Sequence, residues 1–278
     1  MIKCNNIILA GVARSGSTLA CHLLNKTSDA VALHEPIVPA FVPVSSSNET
    51  VKFLQNFFEK QRDSILSKGI ATSKSTQGKV PDNPRGDIDN KTGKRIKILD
   101  GKVIKVEKAL KDDFLLVIKQ PGLFTGLLGS LKQHFPCYAT IRNPLAVLQS
   151  WNTVDMAVTT GHAPAAERCD KELKFVLAQE RDVYNRQIIL LSWYYEQFYK
   201  HLPIENIIRY EKVVLTGGKE LARIVSSANQ LSERLVNKNN NPLYDNILRK
   251  ELATRLLESE GYYWNYYKKN DVTDLLNT

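Results

Sequence analysis

The chain has 278 residues, 43% of them hydrophobic, which is material for one large or two small domains and too apolar for disorder to be the main theme. Lysine and arginine number 38 against 29 acidic residues, a formal +9 that favours phosphates, nucleic acid or a membrane surface without choosing among them. No apolar run approaches the about 18 residues needed to cross a bilayer, and residues 7–10 are too short for a signal-peptide core, so a soluble, cytoplasmic protein is expected. Cys4, Cys21, Cys137 and Cys169 lie too far apart for a zinc site or a disulfide scaffold and read as reduced thiols.

In chain order, the apolar run 7–10 predicts a strand, and residues 16–25, with Leu19, Leu23 and Leu24 on one side, a helix. A second apolar run follows at 30–33. The polar stretch 72–94 leads into alternating residues at 95–99 and 102–106 around Asp100-Gly101, which predicts a β-hairpin within an insertion at about 72–111. Residues 114–118 read as a buried strand, 122–134 as a helix, 137–141 as another strand, and Asn143-Pro144 as the capped start of a helix through Trp151. One long helix is expected over 170–201, a strand at 207–210, and helices over 219–236 and 243–260 with a break at 237–242. Alternating strands and helices imply an α/β fold, a single domain with a parallel β-sheet flanked by helices.

The segment Gly11-Val12-Ala13-Arg14-Ser15-Gly16-Ser17-Thr18 joins the first strand to the first helix. There an anion meets unpaired amides and the positive end of the helix dipole, and two glycines let the backbone curl around it. The spacing matches Gly-x4-Gly-Lys-Ser/Thr of P-loops except that Ser17 stands where the lysine belongs, so Arg14 supplies the charge. An ordinary strand-to-helix turn has the same glycines, and position after the first strand favours the phosphate cradle. Arg142 closes the strand 138–141, and Ser150 lies eight residues on, two turns into the following helix, so both can grip one phosphate; alone, Arg142 equally well caps a helix or pairs with an acid.

Taken together, Arg-Asn-Pro-Leu-Ala-Val-Leu-Gln-Ser at 142–150 resembles the 3′-phosphate motif of sulfotransferases that use 3′-phosphoadenosine 5′-phosphosulfate (PAPS), and residues 11–18 resemble their 5′-phosphosulfate loop. The motifs stand in that family's order. The resemblance implies a P-loop-like sulfotransferase fold, with PAPS as cofactor, its bisphosphate PAP as product, and no metal. It implies that the backbone of Ser15 and Gly16 and the side chains of Arg14, Ser17 and Thr18 hold the 5′-phosphosulfate. Arg142 and Ser150 then hold the 3′-phosphate, and Tyr210, in a strand-end Tyr-Glu pair, faces the adenine unless it is a core tyrosine. The family's late Arg-Lys-Gly loop is absent, since Arg249-Lys250 precedes glutamate.

Sulfuryl transfer needs a base for the acceptor proton and fixed positive charge for the leaving phosphate oxygen. Glu35, after the second apolar run, is the first candidate base and His34 the second; a carboxylate of ordinary pKa is a weak base, so burial would have to raise it, and a salt-bridged Glu35 is the plain alternative. Lys119, followed by Gln120-Pro121, resembles the family's strand-end lysine and is the candidate for stabilising the leaving group with Arg14. The aromatic run 262–267 reads as packing and the basic run 91–111 as a solvated face, and His22 and His162 show no metal-ligand spacing. The expected partner is a small-molecule or carbohydrate acceptor bearing a hydroxyl or amine, with neither nucleic acid nor membrane. The resemblance leans to bacterial enzymes of carbohydrates or natural product biosynthesis, including cyanobacterial pathways that sulfate alkaloids such as saxitoxin. A P-loop-type small-molecule kinase and a non-catalytic adenylate-binding module are the rival readings. The insertion and residues 38–58 are expected to shape the acceptor pocket.

Overall fold

A computed structural model describes residues 5–277. The first strand β1 (Asn6–Gly11) and helix α1 (Ser17–Leu24) form as expected, followed by β2 (Ala30–His34). Helix α2 (Ser47–Lys68) begins where the Ser46 hydroxyl accepts from the Glu49 amide and ends where Gly69 turns left-handed. Four short strands follow, β3 (Ile70–Ser75), β4 (Arg85–Ile88), β5 (Arg95–Lys97) and β6 (Gly101–Lys105). Next come β7 (Leu115–Lys119), α3 (Pro121–Leu131), β8 (Cys137–Ile141) and α4 (Pro144–Asn152), with the Asn143 side chain accepting from the amides of Leu145 and Ala146. Helices α5 (Pro164–Cys169), α6 (Lys171–Gln179) and α7 (Val183–His201) precede β9 (Ile207–Arg209) and α8 (Tyr210–Leu215). Helices α9 (Asn246–Glu258) and α10 (Lys269–Leu276) close the described chain.

Five strands make one parallel sheet in the order β2-β7-β1-β8-β9, flanked by helices. Its central strands are continuous apolar runs because helices cover both faces; Ile8, Leu9, Leu116 and Val117 are all buried. The order places β1 between β7 and β8, so the chain leaves β1 at a crevice above the carboxyl edge, where open parallel sheets bind ligands. Cys21, Cys137 and Cys169 are free thiols, and Cys4 lies outside the described residues. Among the described residues no helix is long and apolar enough to cross a membrane.

Three expectations are corrected. The strands around Asp100-Gly101 do not pair with each other: β5 pairs with β4 and β6 with β3, both antiparallel. Asp100 is drawn onto the neighbouring turn instead, its carboxylate accepting from the Gln77 amide at 3.1 Å and its amide donating to Ser75 O at 3.0 Å. The pattern over 170–201 is two helices, because Asp182 caps α7 through the Asn185 amide and Arg186 grips Glu180 O, bending the chain between them. The stretch 219–236 is two short 3-10 turns, Lys219–Arg223 and Ser226–Gln230, and then extended chain. Its backbone is claimed by tertiary partners: Glu233 N–H donates to Gly217 O, and the Tyr210 hydroxyl donates to Val236 O and accepts from Lys238 N–H.

Candidate active site

Gly11 ends β1 at φ 150°, and a Cβ there would stand 2.2 Å from Thr140 Oγ1 and 2.9 Å from Thr140 O on the adjoining strand. Gly11→Ala is therefore expected to destabilise the protein by about 2–4 kcal/mol in urea unfolding, because neither the backbone angle nor β8 can yield cheaply. Gly16 caps α1 at φ 86° with Tyr210 Cδ2 where its Cβ would be. No side chain caps α1, which leaves its first-turn amides for an outside anion. The Ser17 and Thr18 side chains line the cavity above the loop and make no hydrogen bond to the described residues. Ser15 departs from the expected role: its amide donates to Val12 O at 3.1 Å and its hydroxyl to Thr140 O at 2.9 Å, so it shapes the loop and has nothing left for a phosphate.

The two motifs meet. Arg14 Nε donates to Ser150 Oγ at 3.2 Å, and both its terminal nitrogens face Asn83 Oδ1 at 3.4 Å. Arg142, 5% exposed, donates to Arg14 O at 3.3 Å, to Asn239 Oδ1 at 2.7 Å and to Lys238 O at 2.5 Å. Every one of these partners is neutral, and among the described residues neither arginine has a salt bridge. Burial, and then repulsion from Arg95 and Arg142, pull the Arg14 guanidinium down to about 9. Such a set of unpaired, half-desolvated cations costs free energy that a bound polyanion would offset. Tyr210, 6% exposed, packs its ring on Gly16 and under the Arg142 guanidinium at 4.7 Å, so it is a platform for that arginine more than a free face for a base. The Glu211 beside it accepts from the amide of Asn143 and from Asn239 Nδ2, tying the start of α4 to the chain segment that holds Arg142.

At the next crest of the sheet, Glu35 adopts φ 45°, its amide donating to Lys119 O at 2.9 Å. Three non-glycine residues among those described have positive φ, Arg14, Glu35 and Gln77, and two of them are in this site. A backbone cost of about 1–3 kcal/mol at such residues persists only where surrounding structure imposes it. Glu35 Oε1 accepts from Lys119 Nζ at 2.7 Å and Oε2 from Lys74 Nζ at 2.5 Å, with His34 Nε2 3.5 Å from Oε1. Burial pushes the Glu35 carboxyl up, but Lys119, His34 and Lys74 outweigh it and hold the group well below the usual carboxylate range. The raised pKa that a carboxylate base would need is therefore not there, and Glu35 is the salt-bridged group of the plain alternative. Burial, then the Lys119 charge, lower His34 to about 4, so its imidazole is neutral, and its buried Nδ1 has no partner.

Both clusters open into one cavity of about 1170 Å³ that also receives Tyr194, Met156 and Val38. This is room for a nucleotide and a second small molecule. His162 also lines the cavity, its Nδ1 lying 3.2 Å from Glu167 Oε1, which also accepts from the Ala163 amide. Of residues 38–58, Val38 and Pro39 line it, while Val51, Leu54 and Phe58 are core. Sequence reasoning missed Lys74, Asn83 and Arg95, all on the insertion; a lysine on an alternating strand and an asparagine in a polar loop carry no distinguishing signal. The basic run is less solvated than expected, since Lys94 donates to Asn152 O and Lys108 to the carbonyls of Asn25, Thr27 and Ala30. Tyr263, Tyr266 and Tyr267 pack around Tyr195 in the core, as read from the sequence. No protein-family model matches the chain, and a search of curated proteins finds no match.

Proposed function

We propose that the chain is a sulfotransferase that moves the sulfuryl group of PAPS to a hydroxyl or amine of a small-molecule or carbohydrate acceptor. The observation that carries this reading is the Arg14–Ser150 hydrogen bond with Arg142 on the Arg14 carbonyl, which draws the two motifs onto one point with no carboxylate to neutralise them. An anion with charge at both ends of a nucleoside suits that arrangement: Ser17, Thr18 and the first turn of α1 hold the 5′ end and Arg142 and Ser150 the 3′ end, while Arg14, expected at the 5′ end, is drawn to the 3′ end by its bond to Ser150. PAPS supplies the activated sulfuryl group. With that donor bound, Lys119 would offset the negative charge left on the departing phosphate oxygen. Glu35, ionised at neutral pH, accepts the acceptor's proton as the new bond to sulfur forms. Its low pKa suits a proton transfer that is late, after attack has made the acceptor oxygen or nitrogen strongly acidic.

The test is calorimetry with PAP in EDTA. Tight binding by the parent, weakened more than tenfold (about 1.4 kcal/mol) in Arg142→Ala, is the expected result. Equal binding by both proteins, or binding only of a magnesium triphosphate, would overturn it, the latter in favour of the kinase.

A further inference from the structure

Strand β5 belongs to the polar insertion, yet it is fastened to the end of the helix that carries Ser150. The Arg95 amide donates to Thr153 O at 2.8 Å, Lys94 Nζ to Asn152 O at 2.7 Å, and Arg85 Nη2 to Asp155 O at 3.1 Å. The insertion is thus anchored within one turn of Ser150 and cannot swing independently of α4. It reaches the anion site twice. Asn83, just before β4, supplies the oxygen that both terminal nitrogens of Arg14 face. Arg95 then enters the same cavity as Arg14, Arg142 and Ser150.

The Arg95 side chain is held by one edge. Its Nε donates to Gly86 O at 2.8 Å and its Nη2 to Arg85 O at 2.7 Å, two carbonyls of the paired strand β4. Nη1 has no hydrogen bond to the described residues, and no salt bridge forms on the group; Asp87 and Tyr244 are the anionic or titratable neighbours that favour its charge. Its positive charge, like that of Arg142, bears on Arg14 in the shared cavity. A guanidinium aimed by two backbone carbonyls loses little side-chain entropy on taking up a ligand, and a planar fork suits a phosphate.

Resting on the sulfotransferase reading, we propose that Arg95 binds the 3′-phosphate of the nucleotide alongside Arg14, Arg142 and Ser150. The insertion then completes that end of the site and sets the preference for a 3′-phosphorylated nucleotide. The segment is held to the end of the helix that carries Ser150 by one backbone hydrogen bond and two side-chain donors, Lys94 and Arg85.

The experiment compares PAP with adenosine 5′-monophosphate by calorimetry on the parent, Arg95→Gln, Arg95→Lys and Arg142→Ala. In Arg95→Gln, PAP affinity is expected to fall by about 10–100-fold (about 1.4–2.8 kcal/mol) while that for the monophosphate changes by less than about twofold, which also shows that the variant is folded. Arg95→Lys keeps a charge without the fork and should lie between. If Arg95→Gln does not fold, Arg95→Lys alone decides: parent-like PAP affinity overturns the proposal and a selective loss supports it. Arg95→Gln binding PAP like the parent while Arg142→Ala loses it removes Arg95 and leaves the sulfotransferase reading standing. No preference for PAP over the monophosphate in the parent overturns both.

Discussion

Replacing Lys119 by alanine is expected to lower kcat by about 10²–10³ while PAP affinity changes by less than about threefold, because its ammonium matters most where charge develops. Lys119 is the last residue of β7, in register with His34 of β2, and its side chain is only 4% exposed, so its Nζ is fixed where Glu35 meets it. An exposed strand-end lysine would have neither the low dielectric nor the fixed aim. Steady-state kinetics with a chromogenic acceptor, beside PAP calorimetry, separates the two effects. If affinity falls as far as kcat, Lys119 is a binding residue and the leaving oxygen is neutralised elsewhere.

Glu35→Gln should remove about 10²–10⁴ of kcat with the nucleotide still bound, the usual worth of a positioned base. The parent supplies a second readout. Because Lys119, His34 and Lys74 together hold the Glu35 pKa down, kcat/KM should stay flat as pH falls through the ordinary carboxylate range and decline only below it. The sign agrees with linkage: a folded-state pKa depressed below the unfolded value contributes stability above the unfolded value, lost as pH falls through the folded one. The cluster therefore favours the folded protein at neutral pH and gives this up only in strong acid. A rate that declines well above the carboxylate range, or a Glu35→Gln enzyme of parental speed, would remove Glu35 as the base. The His162 imidazole, oriented by Glu167 on the same cavity, would then be the group to test.

Local chemistry was legible where it was decided locally. The runs ending at Gly11, His34, Lys119 and Ile141 are buried parallel strands, and such strands write themselves as unbroken apolar stretches. Asn143-Pro144 and the glycines of the first loop are equally plain, because caps and left-handed turns admit few residues. Asp100-Gly101 misled for the opposite reason: its turn chemistry is real, but β5 and β6 are each claimed by a strand farther away, and pairing of that kind leaves no mark in a short window. The same limit hid Lys74, Asn83 and Arg95. Each acquires meaning only when the insertion folds across the sheet edge, whereas Arg14, Arg142 and Ser150 stand in motifs that a resemblance could mark. Ser15 and Tyr210 show the complementary case, motif positions whose polar groups or ring the fold itself engages.

The hydrogen bonds that gather at the arginine end of the cavity join Arg14 to Asn83, Arg14 to Ser150 and Arg142 to Asn239, separations of 69, 136 and 97 residues. Closing contacts of such range costs chain entropy that only the packing of the intervening elements repays. A ligand that engages this cluster would accordingly need the finished molecule, and its binding would bias the equilibrium toward that state alone.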